Sequence, residues 1–325
     1  MSAVEPTLAA VLERPDDLLA RLLHAEVLEA RGDPRGELIR VQCALASETG
    51  RSARIGLRQR ETALLRAHGR RWLAPVRAMR GKGELRRGFI EKVTVPLWKG
   101  LPPGLAALFA QEPVRDVDLG YSQKNEPILE FFAMGLLGRL THLRMAASEA
   151  LVARLAEAEG AEGLRYLGLR GYALKDTGLG LLATAPRLAG LEELCVGGVT
   201  DAGLATLCSG GRRWRSLYLS SSKIRGAGLQ TLVASPAMEG LRVLCLNRCE
   251  GVDDDGLMAL AASPASASLT ILELERTGLT AKGARALVQS PYLAGLTRLR
   301  VRDTGAAKGA TLVALRARWP RAVIV

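Results

Sequence analysis

One pattern constrains this chain more than any other: apolar-x-x-apolar-x-apolar, which returns eight times at nearly constant spacing. It reads VRDVDL (114–119), LTHLRM (140–145), LRYLGL (164–169), LEELCV (191–196), WRSLYL (214–219), LRVLCL (241–246), LTILEL (269–274) and LTRLRV (296–301). Successive copies start 26, 24, 27, 23, 27, 28 and 27 residues apart, and a weaker copy, FIEKVTV (89–95), lies 25 residues before the first. Self-similarity at such a period means stacked units, each too small to bury its own apolar face and each completed by its neighbours.

A second pattern is locked to the first. Twelve to fifteen residues after each of the last six copies begins, a Gly opens a helix-like apolar run: GLGLLA (178–183), GLATLC (203–208), GLQTLV (228–233), GLMALA (256–261), GARALV (283–288) and GATLVA (309–314). Asp176, Asp201, Asp253 and Thr280 stand just ahead of four of these runs, where a side-chain oxygen can cap free backbone N–H groups. Pro186, Pro236, Pro264 and Pro291 follow four of them and stop a helix, because proline lacks an N–H and clashes with the preceding turn. Only 4% of residues are aromatic against 48% hydrophobic, so the core must be aliphatic, which suits a thin repeated structure.

Strand, turn, capped helix and stop in fixed order resemble the helix-bearing, ribonuclease-inhibitor-like leucine-rich repeats, most closely in LRVLCLNRC (241–249) and TDAGLATL (200–207). The resemblance covers about 235 residues. It implies an α/β solenoid of about eight to nine repeats, with a curved parallel sheet inside and helices outside. It also implies a buried polar column three residues beyond each strand, here Tyr172, Val199, Ser222, Cys249, Thr277 and Thr304; Tyr172 and Val199 depart from the family's Asn, Cys or Thr.

The N-terminus carries a different pattern. Leu8, Val11 and Leu12, then Leu18, Leu19, Leu22, Leu23 and Leu28, fit two amphipathic helices broken at Pro15-Asp16-Asp17. A turn at 31–36 precedes a third helical start at Glu37. ERPDD and EARGDPRGELIRVQ resemble a short bacterial repeat-companion domain, a family without a defined activity. The expected organisation is a helical repeat-companion module over 1–50, a basic helical connector or cap over 51–88, and the solenoid over 89–325. The final AVIV (322–325) is expected to supply a last strand edge.

Charge is unevenly spread. Residues 51–100 hold fourteen Lys or Arg against three Glu, a surplus of eleven out of the net +12. Arg70, Arg71, Arg77, Arg80, Arg86 and Arg87 form the alternative binding patch, suited to nucleic acid or another acidic partner. Only eight of the 45 basic residues are Lys, so a general preference for Arg also accounts for the window. Its one aromatic before Phe89 is Trp72, which gives no base-stacking pattern.

Nothing points to catalysis. No GxSxG, HExxH, P-loop or dinucleotide fingerprint is present. His24, His68 and His142 lie apart from any Cys or acidic cluster with metal-ligand spacing, and Asp253-Asp254-Asp255 falls where neighbouring repeats keep a helix cap. The five cysteines are odd in number and show no CxxC pair. No catalytic, cofactor-binding or metal residue is therefore expected. The opening MSAVEPTLAAVLERPDD has no basic start and no long apolar run, and no stretch reaches the roughly 20 apolar residues of a membrane span. The expectation is a cytoplasmic, non-enzymatic protein without membrane attachment.

What remains is a surface. Side chains alternate along a strand, so the third and fifth positions of each copy point away from the core. Asp116 and Asp118 start the two columns. The expected partner-binding face follows: His142 and Arg144; Tyr166, opposite Gly168 in the pattern; Glu193 and Cys195; Tyr218, after Ser216; Val243 and Cys245; Ile271 and Glu273; Arg298 and Arg300. Tyrosine among weakly polar neighbours favours a protein partner on this face.

Overall fold

The computed structural model describes residues 5–120, 122, 124–171 and 174–324. The chain divides into two compact units, Met1–Leu143 and Arg144–Val325. In the first, α1 (Pro6–Glu13), α2 (Leu18–Ala30), α3 (Arg35–Ser47), α4 (Arg51–Trp72) and α5 (Ala74–Ala78) precede β1 (Lys82–Arg86), β2 (Phe89–Val95), α6 (Leu105–Gln111), β3 (Asp116–Leu119) and α7 (Glu126–Ala133). β4 (His142–Ala146) crosses the division. The second holds α8 (Glu149–Glu157), β5 (Tyr166–Arg170), α9 (Asp176–Thr184), β6 (Glu193–Val196), α10 (Asp201–Ser209), β7 (Ser216–Tyr218) and α11 (Gly226–Val233). It continues with β8 (Val243–Cys245), α12 (Asp254–Ala262), β9 (Ile271–Glu273), α13 (Ala281–Gln289), β10 (Arg298–Arg300), α14 (Gly309–Arg318) and β11 (Val323–Ile324).

Each of the nine apolar-patterned segments contains a strand, β2 to β10. From β5 to β11 every strand pairs in parallel with the next, and a helix separates each pair in sequence. The pattern sets this up directly. Its first, fourth and sixth positions form the core: in the sixth repeat Leu241, Leu244 and Leu246 are fully buried, and so are Leu257 and Leu260 of the helix that follows. Each such Leu contributes roughly 1.5–3 kcal/mol relative to exposure.

From β5 to β10 the chain leaves each strand through one residue in the left-handed backbone region. Gly171 and Gly198 occupy it without steric cost, but Ser221, Arg248, Arg276 and Asp303 adopt it with φ between +54° and +61°. Backbone pairing continues through these residues, since the Arg248 N–H donates to Glu275 O at 2.7 Å and Arg276 N–H to Arg302 O at 3.0 Å. One position later lies the polar column. Thr277 and Thr304 donate to Leu274 O (2.8 Å) and Val301 O (2.6 Å), and the Cys249 thiol reaches Leu219 O at 3.2 Å. Where Val199 interrupts the column, its own N–H donates to the Ser222 hydroxyl of the next repeat at 3.1 Å. Tyr172 lies outside the described residues.

The helix starts differ from expectation at two aspartates. Asp253 and Thr280 are N-caps, but Asp176 and Asp201 are first helical residues, behind Lys175 and Thr200. Their carboxylates face the following repeat instead. Asp201 Oδ1 accepts from Arg225 N–H at 2.8 Å, and Asp254 Oδ1 repeats this with Thr280 N–H at 2.8 Å. The recurring helical Gly belongs to the same arrangement. A Cβ on Gly203, Gly228 or Gly283 would come within 2.2–2.5 Å of the carboxylate oxygen of Asp176, Asp201 or Asp254.

In the first unit α1–α3 form as the pattern requires, but α2 turns a different face inward. Leu18, Leu19 and Leu23 are about half exposed, while Ala20, Arg21, His24 and Ala25 are buried. Arg21 explains the rotation: its Nε donates to Pro15 O (2.7 Å), its Nη1 to Arg87 O (3.1 Å), and its Nη2 sits 2.7 Å from Glu91, off hydrogen-bond alignment. The helical connector expected over 51–88 ends at Ala78, because Lys82–Arg86 is a strand. β1 pairs antiparallel with β2 through Arg87-Gly88, both with positive φ, as a two-residue hairpin turn demands. Gly88 has no room for a Cβ, which would lie 2.1 Å from Ile39. Arg35 and Gln42 of α3 clamp this turn, through Gly88 O and Gly88 N–H.

Candidate functional site

Strand register in the second unit places the expected face as two rows. One runs Tyr166, Glu193, Ser216, Val243, Ile271, Arg298; the other runs Gly168, Cys195, Tyr218, Cys245, Glu273, Arg300. Neighbouring strands lie ~4.8 Å apart, so each row spans about 24 Å. The sequence pattern makes all of these residues point away from the core. The structure shows how unequally they are exposed, because at that spacing each side chain covers its neighbours.

Arg144 lies over Tyr166, 4.5 Å from the ring centroid. Burial pushes the Tyr166 phenol up to about 12, so it stays protonated. Tyr218, Val243 and Ile271 are half-buried and form the apolar middle. Ser216 and Cys245 are buried; Cys245 packs its thiol 3.2 Å from Ser220 Oγ and 3.4 Å from Glu273 Oε2. Asn247 ties the same region across repeats, donating to Glu273 Oε2 and accepting from Glu275 N–H, each at 2.8 Å. At the C-terminal end Arg298 and Arg300 each lie 3.9 Å from Glu273, which partly offsets their charge. His142 belongs to the first unit, half-buried with Nδ1 2.9 Å from Thr141 Oγ1.

The thiols lack the features of nucleophiles. Burial raises Cys43, Cys195 and Cys208 above the ordinary thiol range, and Cys245 and Cys249 to about 11, the opposite of what an activated cysteine needs. Among the described residues no three His, Cys, Asp or Glu converge as a metal set. No helix among them is long and apolar enough to cross a membrane.

The alternative basic patch is divided by the fold. Arg86 pairs with Glu84 at 2.9 Å and approaches Asp116 at 3.7 Å; Arg87 pairs with Glu91 at 2.9 Å and Asp16 at 3.2 Å. Arg70, Arg71, Arg77 and Arg80 remain exposed. One feature of this region has no counterpart in the sequence reading: Trp98 is 57% exposed, beside Arg80 and Lys99.

Residues 265–288, which hold β9 and most of α13, match a family model described as a leucine rich repeat. Comparison with curated proteins finds no match. The family match and the strand–helix periodicity together support a leucine-rich-repeat protein, a class that generally mediates protein–protein interaction and is generally non-enzymatic.

Proposed function

We propose that the chain is a non-enzymatic interaction scaffold that binds a protein partner on the open face of its repeat sheet, between Tyr166 and Arg300. The observation that carries this reading is the in-register pair of rows. They place half-buried Tyr218, Val243 and Ile271 on three consecutive strands, flanked by charged Glu193 on one side and Arg298 on the other, with Tyr166 on the strand beyond Glu193. Amphipathic aromatic side chains in an apolar middle with a polar rim are the anatomy of interface cores. The leucine-rich-repeat resemblance implies a concave face, which would add wrapped contact area. The residues ahead of Phe89 then act as a cap on the N-terminal edge, as repeat arrays require.

Site-specific photo-crosslinking tests the face. A crosslinker replacing Ile271 captures a partner in cells, and one replacing Met258, 40% exposed on α12, does not. Tyr166→Glu with Tyr218→Glu abolishes the capture while circular dichroism stays unchanged. Equal capture from both positions, or capture indifferent to the tyrosines, overturns the reading.

A further inference from the structure

Of the four tryptophans, Trp72, Trp214 and Trp319 are buried and Trp98 is exposed. It stands on a tight turn in which Gly100, at φ +90°, donates its N–H to Leu97 O at 3.0 Å. The Arg80 guanidinium lies 5.5 Å and the Lys99 ammonium 5.0 Å from the indole centroid. Beside the indole opens a groove of about 610 Å³, lined in part by Pro75, Ala78, Met79, Pro102 and Leu108. This is within the roughly 300–1,000 Å³ typical of ligand pockets.

Neither Arg80 nor Lys99 has a carboxylate partner among the described residues. Glu112, the one acid in the lining, is already committed to Arg35 at 2.7 Å and to Ile90 N–H at 2.9 Å. Arg80 also holds φ +57°, a strained conformation that glycine would adopt freely. Strain of this kind at the rim of a cavity is a reason to look for a role.

We propose that this groove binds a short acidic peptide segment of a partner protein, with an aliphatic or aromatic side chain seated against Trp98 and an adjacent carboxylate held by Arg80 and Lys99. The lining offers apolar area and two cations, with few fixed polar groups to orient a small polar molecule. A lone indole gives no run of stacking platforms for nucleic acid. The proposal is independent of the sheet-face reading, because every residue it uses lies in the first unit.

The test is a phage-displayed random peptide library panned against the full chain, followed by synthesis of the recovered peptides. Recovered sequences place Asp or Glu next to Leu, Ile, Phe or Trp, and their binding shields Trp98 from acrylamide quenching. Trp98→Ala weakens binding roughly tenfold or more, as loss of an interface anchor does. Arg80→Glu with Lys99→Glu abolishes it, and raised salt weakens it. Tyr166→Glu with Tyr218→Glu leaves it unchanged, so this site and the sheet face fail separately. Recovery of neutral or basic peptides, or of none, overturns the proposal. So does binding indifferent to Trp98, or binding of single-stranded oligothymidine in place of acidic peptides.

Discussion

Gly228→Ala combined with Asp201→Ala tests the inter-repeat carboxylate ladder through a change of sign. Gly228 is the third residue of α11, and a Cβ there would lie 2.2 Å from Asp201 Oδ1 and 3.2 Å from Ile224 Cγ2. The carboxylate can swing aside, but Oδ1 is the acceptor for Arg225 N–H at 2.8 Å, so swinging aside breaks that bond. Alanine gains up to ~1 kcal/mol over glycine inside a helix, and about half of that in a first turn. Losing a hydrogen bond to a charged acceptor costs roughly 1.5–3 kcal/mol, toward the lower end here because Asp201 is partly exposed. Gly228→Ala alone therefore destabilises by about 1 kcal/mol. In an Asp201→Ala background the carboxylate is absent, and the same substitution stabilises by about 0.5 kcal/mol. The Ile224 contact is common to both arms and cancels in the coupling. The ion pair of Arg225 with Asp201, 3.8 Å long and largely exposed, adds little. Urea unfolding followed by circular dichroism reads the stabilities. Hydrogen exchange at the Arg225 amide reads the broken bond directly, which matters because repeat arrays need not unfold in two states. A coupling energy near zero between the two substitutions, or an Arg225 amide equally protected in Gly228→Ala, refutes the reasoning.

Two further predictions concern the N-terminal helices. Glu91→Ala leaves the fully buried Arg21 guanidinium without its counter-ion and costs about 3–5 kcal/mol, read as proteolytic release of residues 5–47; resistance equal to the parent chain would count against the buried pair. His24 packs on Phe89 with ring centroids 5.7 Å apart, and burial lowers its pKa below 6.5 against the opposing pull of Glu5. A depressed imidazole favours the neutral fold, so its contribution is full above about 6.5 and is lost as pH falls through that value toward the folded-state pKa. The urea midpoint therefore drops between about pH 7.5 and 5.5, and His24→Gln flattens this segment; an identical pH profile in the variant would rule His24 out as its source.

The difference between what was legible and what was not follows the range of the interactions involved. Leu241, Leu244 and Leu246 are buried because their spacing alone puts them on one side of a strand, and any chain with that pattern places them alike. Arg21 and Leu19 invert the ordinary expectation of charged outside and apolar inside, because the partner that decides the matter, Glu91, is 70 residues away. β1 was hidden for a similar reason: Lys82–Arg86 is too charged to read as a strand, and the two-residue turn at Arg87-Gly88 was its one local cue. On the open sheet face, alternation tells which way Cys245 points but not that Ser220 and Glu273 close over it. Exposure on a sheet is set by neighbours on other strands, so a column of outward positions identifies a face without ranking its members. Trp98 shows the converse. A proline-flanked turn in a basic stretch carries no periodicity, so its indole could be found only once the fold had set it beside Arg80 and the groove.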